Sequence, residues 1–460
     1  MHIGIVGAGW GGLSAAIHAQ LAGHDVRLFE AAAEVGGRAR RLTLLLPDGT
    51  RCDADNGQHI LIGAYRDTLA LLQRIATNPG VGAEDALLRL PLTLCYPDGS
   101  GFRLPAAAPP LDALTGIATA AGWSWADKWS LLRAVLGWQI KGFRCAPEVT
   151  VATLCKKMRP TVLRTLIEPL CVSALNTPAE EASGSVFLRV LRDSLMGGRG
   201  ASNLLLPRCD LSALLAEPAV QWLQSRNVPV HLGCRIHDLR QQAGGWQLVH
   251  QDNSLSSIRR QDGPLPTQVF DRVIWATSAA VAARTMASAS DAATAADGQA
   301  MKAWAECTAA LQFEAITTVY LFASGARLAQ PLLALPTAAD APAQFVFDRG
   351  QLGGPPGLLA FVVSASRDDR GSLLMQVMHQ AQMQLAAHLG PAAQGTFAHI
   401  QTVVEKRATF ACTPGLVRPP VRITHGLLAC GDYTEGPYPA TLEGAVRSGI
   451  EAAQALDCPP

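Results

Sequence analysis

The 460-residue sequence predicts an α/β fold in which a parallel-sheet domain, discontinuous along the chain, carries an inserted α+β domain. Three observations support this. The chain opens on a short apolar run, a glycine turn and a helical pattern. It closes over residues 427–453 on a second apolar run, turn and helix. Further strand-like runs occur at residues 229–236 and 271–277. On this reading residues 1–61, 201–290 and 411–460 form the sheet domain. Residues 62–200 and 291–410 form the insertion, with membrane-facing helices expected over 111–142.

The first element rests on Ile3, Ile5 and Val6, which stop at Gly7-Ala8-Gly9-Trp10-Gly11-Gly12, a G-x-G-x-x-G turn. With 42 Gly in 460 residues, chance alone supplies roughly 0.3 such matches, so the surroundings must carry the inference. They do. Leu13, Ala16, Ile17 and Leu21 recur at helical spacing, Gly23 is placed to end that helix, and Val26-Arg27-Leu28-Phe29 reads as a second strand closed by Glu30. An acid about 20 residues beyond the turn suits a ribose hydroxyl and repels a 2′-phosphate, while the glycines and the helix N-terminus suit a pyrophosphate. This is a Rossmann-like dinucleotide site.

Six residues past the acid, Gly36-Gly37-Arg38 offers close backbone approach to a diphosphate and a fixed countercharge. Near the other end, Leu427 to Cys430 reads as a buried strand ending at Gly431-Asp432, whose carboxylate suits a ribityl chain. A helix then begins near Thr441. The backbone N–H groups of Thr441, Leu442 and Glu443 are expected to meet a flavin carbonyl, where the helix dipole favours negative charge. Arg235 and Ile236, at the end of the 229–236 run, are placed beside the adenine. The cofactor expected is therefore FAD.

Bulk composition narrows the partners. Charged residues make up 16% and hydrophobic ones 49%, with mean hydropathy +0.17. Lys and Arg (38) balance Asp and Glu (37), which argues against nucleic acid. The 11 Cys are scattered with no C-x-x-C pair, so neither a metal site nor a disulfide framework is expected. The opening residues carry no basic or apolar leader pattern, and no run of 18 apolar residues occurs, so a cytoplasmic protein is expected. Trp123, Trp125, Trp129 and Trp138, amid Leu131, Leu132, Val135, Leu136 and Ile140, suggest either an interfacial helix giving peripheral contact with the inner face of a membrane, or a Trp-rich core helix. No oligomeric state is indicated.

Together, the glycine turn, Gly36-Gly37-Arg38 and Gly431-Asp432 resemble the flavin amine oxidase and carotenoid (phytoene-type) desaturase superfamily. Within it, Asp55-Asn56-Gly57-Gln58-His59-Ile60-Leu61-Ile62-Gly63-Ala64-Tyr65, Pro169-Leu170-Cys171-Val172-Ser173-Ala174-Leu175-Asn176-Thr177-Pro178 and Gly431-Asp432-Tyr433-Thr434 are similar to the hydroxysqualene dehydroxylase family. The similarity runs through most of the chain and adds least over 285–400. It implies an FAD enzyme of hopanoid or related triterpene synthesis. Such an enzyme reduces hydroxysqualene to squalene with loss of water, and Gly57 and Gln58 are among its cofactor residues. The substrate implied is a hydrophobic terpenoid.

Loss of water from an allylic alcohol in a dry tunnel needs a proton. Asp55 and His59 are the candidate acids, with Tyr433 and Glu435 behind them. The alternative is that Asp55 and His59 only fix a turn against the flavin. With one convincing dinucleotide turn in the sequence, a separate electron donor is expected. Three rivals stay open: a phytoene-type desaturase, an FAD-retaining scaffold in a terpenoid synthase assembly, and an amine oxidase. The 5 Tyr offer few candidates for the aromatic cage of an amine oxidase.

Overall fold

The structure, a computed structural model, describes residues 1–76, 85–107, 111–250, 268–367, 369–390, 393 and 396–458. Strands β1 (His2–Val6), β2 (Asp25–Phe29), β3 (Val230–His231), β4 (Arg272–Trp275), β5 (Arg422–Thr424) and β6 (Leu427–Ala429) form one sheet in the order β3-β2-β1-β4-β6-β5. The first five are parallel and β5 closes the edge antiparallel. Because the central strands are covered on both faces, they read as apolar runs without alternation. Ile3, Ile5, Val273, Ile274 and Trp275 are fully buried.

Helix α1 (Trp10–Leu21) follows β1 and ends where Gly23 adopts φ +85. Helix α2 (Leu442–Gln454) lies on it, and this contact brings the end of the chain to its beginning. The two helices approach so closely that a Cβ on Gly449 would stand 2.3 Å from the Gly11 carbonyl oxygen. Ser14 Oγ also donates to Val446 O at 2.8 Å.

The expected strand over 229–236 is shorter than its sequence suggests. Pairing stops at His231 because Gly233 turns into the left-handed region (φ +66) and the N–H groups of Gly233 and Cys234 bond to Ala32 O and Glu30 O instead. Ile236 then starts a separate antiparallel sheet, Ile236–Gln242, Gly245–His250 and Val269–Phe270.

Beyond the parallel sheet lie helices between residues 111 and 195 and a five-stranded antiparallel sheet. Its order is Leu332–Ala334, Phe345–Asp348, Leu358–Ser366, Phe313–Phe322, Ala398–Phe410. The last strand bulges: Glu314 pairs with Thr409 but Ile316 pairs with Glu405, so Lys406 to Ala408 leave the ladder.

Helix Trp125–Ile140 starts from a capping box in which Ser124 and Asp127 satisfy each other's backbone N–H groups. The tryptophan cluster divides between core and surface. Trp123 and Trp138 are core residues, Trp123 donating to Thr165 Oγ1 at 3.0 Å, whereas Trp125 and Trp129 are exposed at 78% and 65%.

Candidate functional site

A cavity of about 800 Å³ runs from the β1–α1 turn to the five-stranded sheet. Of the residues expected at a cofactor site, Gly7, Gly9, Gly11, Glu30, Gly36, Gly37, Arg38, Gly57, Gln58, Arg235, Ile236, Gly431, Asp432, Thr441 and Leu442 line it. They come from five separate stretches of sequence. Turns after the parallel strands bring the first two and the last together; Gly57 to His59 follow the antiparallel pair Arg41–Leu45 and Arg51–Asp55, and Ile236 opens the separate antiparallel sheet.

The glycines of the turn serve different ends. Gly7 has φ +112, and a Cβ there would lie 2.5 Å from Ala276 O. A Cβ on Gly12 would lie 1.9 Å from Gly7 O, so that glycine lets α1 pack onto the turn; it does not line the cavity. At Gly9 the nearest atom to a Cβ is Gly37 Cα at 4.0 Å, so its missing side chain leaves free space beside the backbone. Gly9 is also the N-cap of α1 and offers no side-chain cap, which leaves the first-turn N–H groups for a ligand. Glu30 accepts from Ala8 N at 2.7 Å and from Ala32 N at 2.8 Å, fixing its carboxylate at the end of β2. Trp10 Nε1, Gln58 Nε2 and Tyr433 OH are buried on lining residues without a hydrogen-bond partner among the described residues. A glycine cradle beside an uncapped helix N-terminus, an acid for ribose and buried donors further along fit a flavin dinucleotide.

Arg38 is more heavily engaged than a diphosphate countercharge needs to be. Nη1 donates to Ala408 O at 2.7 Å and to Arg407 O at 3.2 Å, and Nη2 pairs with Asp432. The carbonyls that Arg38 meets are those released by the bulge, so Arg38 ties the five-stranded sheet to the Gly431-Asp432 turn. Five N–H donors allow this and still leave two for a ligand.

Asp55 and Glu443 do not line the cavity. Asp55 is 1% exposed; its Oδ1 accepts from Leu211 N at 2.7 Å and its backbone carbonyl accepts from Tyr320 OH at 2.7 Å. Burial pushes its carboxyl up to about 7, against the Leu211 hydrogen bond and the charge of Arg349. Its Oδ1 is thus turned to the Leu211 backbone and not to the cavity. The Glu443 side chain turns onto helix Arg66–Ile75, accepting from Thr68 N at 2.9 Å and Thr68 Oγ1 at 2.7 Å. Thr441, expected in the first turn of the last helix, is its N-cap and accepts from Gly444 N at 2.9 Å.

His59 does line the cavity, but its protonation runs against an acid role. Burial pushes it down to about 4, opposed by a bond to Gly57 O and assisted by the charge of Arg38. The partner at 2.8 Å is a carbonyl, so Nδ1 carries the hydrogen and Nε2 has none near neutral pH. Of the two reserve candidates, Tyr433 lines the cavity and burial holds its hydroxyl well above the usual range, while Glu435 is exposed and lies outside.

Sequence reasoning missed the far end of the cavity, where Val172, Ala174 and Ile316 form an apolar wall with Asn176, Ser364, Glu405 and Thr409 beside it. Asn176 stands in a segment that drew attention by resemblance alone. Thr409 follows the bulge in the strand Ala398–Phe410 and carries no local sequence signal.

The family described as flavin containing amine oxidoreductase matches residues 10–457. Two curated relatives match over nearly all of both chains. The hydroxysqualene dehydroxylase of Sinorhizobium fredii is 27% identical, covering 98% of this chain and 97% of its own. That of Rhodopseudomonas palustris is 28% identical, covering 98% and 96%. A probable zeta-carotene desaturase of Synechococcus elongatus is 25% identical over 54% of this chain and 53% of its own. Among solved structures, an oxidoreductase from Methanosarcina mazei superposes with TM-score 0.69 at 16% identity, covering 99% of this chain and all of the other, a likeness of fold.

Proposed function

The chain belongs to the flavin containing amine oxidoreductase family and is an FAD-dependent oxidoreductase, and from that premise we propose that it reduces hydroxysqualene to squalene with loss of water. The observation that carries this reading is the match to hydroxysqualene dehydroxylases over 98% of the chain, against 54% for the desaturase. The cavity agrees with it: a dinucleotide cradle opens onto an apolar wall bearing a few polar groups, as a long hydrocarbon with one hydroxyl requires.

Bound FAD, once reduced to FADH2, would supply the hydride and one proton, so that the alcohol oxygen leaves as water. The chain's own residues do the rest. Gly9, Gly37 and the α1 N-terminus would hold the diphosphate and Glu30 the ribose. Asp432, fixed by Arg38, would take the ribityl hydroxyls, and the backbone N–H groups at the start of α2 would be available to a flavin carbonyl. Val172, Ala174 and Ile316 keep water from the developing cation. His59, neutral and with Nε2 free of hydrogen, serves as an acceptor that orients neighbours. Tyr433 stays protonated and is one of the cavity's buried donors. Asp55 is left to hold the turn before Gly57.

The test is anaerobic incubation of holoenzyme with hydroxysqualene and a chemical reductant, followed by identification of the hydrocarbon. Squalene supports the reading; polyene desaturation with oxidised flavin replaces it with the desaturase, and no turnover in either direction leaves the scaffold role. Electrons come from a separate donor, so NADPH alone should not bleach the flavin rapidly.

We assign substrate entry to a membrane surface. No helix among the described residues is long and apolar enough to cross a membrane. Helix Trp125–Ile140, however, presents Trp125, Trp129, Arg133, Leu136 and Ile140 along one outward face, with Ile140 87% exposed. Exposed Leu111 and Leu114 lie on the adjoining helix Leu111–Thr119. Lys128, Arg133, Lys141 and Arg144 supply positive charge there, and the one acid of the helix, Asp127, is buried. An apolar stripe with basic flanks suits anionic lipid. Flotation with anionic vesicles should be lost in Trp125→Ser/Trp129→Ser; undiminished flotation rules the surface out.

A further inference from the structure

The polar end of the cavity is built around one buried amide. Asn176 ends helix Glu168–Leu175 in the left-handed region (φ 45°, ψ 36°) and is 4% exposed. Opposite it, Ala365 of strand Leu358–Ser366 also has positive φ, 48°. A short polar side chain tolerates this conformation and Ala does so at a cost, so neither geometry is a default of the local sequence. The amide holds the two together: Oδ1 accepts from Ala365 N at 2.6 Å and Nδ2 donates to Thr409 Oγ1 at 2.9 Å.

The backbone N–H of Ala365 can only donate, which fixes which end of the amide is oxygen. Nδ2 must then donate to Thr409 Oγ1. With that lone pair used, the Thr409 hydroxyl hydrogen is directed elsewhere, and among the described residues it has no recorded acceptor. Thr409, Asn176 and Ser364 all line the cavity beside Val172, Ala174 and Ile316. A half-buried hydroxyl whose hydrogen is left free, set beside apolar lining residues, is a device for recognising one oxygen on an otherwise hydrocarbon ligand.

We propose that Thr409, oriented by Asn176, donates the hydrogen bond that holds the hydroxyl oxygen of the substrate, and is the residue by which the site distinguishes the terpenoid alcohol from the hydrocarbon product. The inference rests on the reductive dehydroxylation proposed above. It also supplies a direction to the reaction cycle: the alcohol is retained by a bond that the product cannot make, so the product leaves. Asn176 acts through Thr409 and is a positioning residue.

Dissociation constants of hydroxysqualene and squalene are measured on oxidised holoenzyme by perturbation of the flavin spectrum. In Thr409→Val, which keeps the shape and removes the donor, hydroxysqualene should bind roughly 10- to 100-fold more weakly with squalene unchanged. Thr409→Ser should restore the preference. Thr409→Ala serves if the valine variant fails to retain FAD. Equal loss for both ligands, or no loss for either, overturns the inference while wild-type turnover to squalene keeps the functional reading standing. A wild-type enzyme that makes no squalene overturns both.

Discussion

Gly9 and Gly12 stand three residues apart in the same motif, yet the structure gives them opposite jobs that a pair of substitutions separates. At Gly12 an added Cβ meets Gly7 O at 1.9 Å and Ala276 Cβ at 3.0 Å, so α1 has to move off the turn. Overpacking of this kind costs about 1–3 kcal/mol, and backbone on one side puts this case at the upper end. At Gly9 the backbone has φ −75, acceptable to Ala, and the nearest atom is 4.0 Å away. Gly9→Ala therefore leaves the apoprotein as stable as wild type, or a few tenths of a kcal/mol more stable through the unfolded state. The new methyl occupies the space through which a diphosphate reaches the backbone. Losing one charge-assisted hydrogen bond there costs about 1.5–3 kcal/mol, roughly 10- to 150-fold in FAD affinity. Thermal unfolding of FAD-stripped protein and a fluorescence titration with FAD measure the two terms. The expected result is an affinity defect without a stability defect for Gly9→Ala, and both for Gly12→Ala. Wild-type FAD affinity in Gly9→Ala, or equal destabilisation of the two apoproteins, refutes the division of roles.

Two further substitutions test the positions where structure and sequence part. Asp55 has a folded pKa raised from 3.8 to about 7, so its contribution to stability is full below pH 3.8, declines as pH rises and is gone above about 7. Three units at about 1.4 kcal/mol each give about 4 kcal/mol. Asp55→Asn, which keeps the acceptor for Leu211 N, should match wild type near pH 4 and exceed its unfolding midpoint by a margin that grows up to pH 8; a constant margin contradicts the assignment. Arg38→Lys loses the fork that reaches Asp432 and the two bulge carbonyls together. It should destabilise even the FAD-free protein, by a value between the ~1 kcal/mol of an exposed pair and the ~3–5 kcal/mol of a buried one. An apoprotein with an unchanged midpoint would return Arg38 to a simple countercharge.

The cofactor half was legible because its chemistry is local. Strand, glycine turn, helix and acid are set by neighbours in sequence: Gly7 needs positive φ, Gly9 caps a helix, and Glu30 follows a buried strand. The tryptophans show the limit of such reading. Residues 123, 125, 129 and 138 share a segment and a composition, yet Trp123, stacked on Phe102 and bonded to Thr165, and Trp138 are buried while the other two face outward. Helical spacing shows which residues share a face but leaves open which face meets the core.

The sequence by itself determined the parallel-sheet core, the dinucleotide cradle and the kinship that gives the flavin its work. The tertiary structure decided what each polar group at the reacting end can do. Asp55 and His59 looked alike as acids in one short motif, but Leu211 and Tyr320 enclose the first away from the cavity and burial keeps the second neutral. Thr409 became a directed donor through Asn176, 233 residues distant, and Arg38 a clamp through Asp432, 394 residues distant. Backbone conformation is encoded by adjacent residues, whereas desolvation and hydrogen-bond direction come from whatever the fold packs alongside, and only the assembled chain brings those groups together.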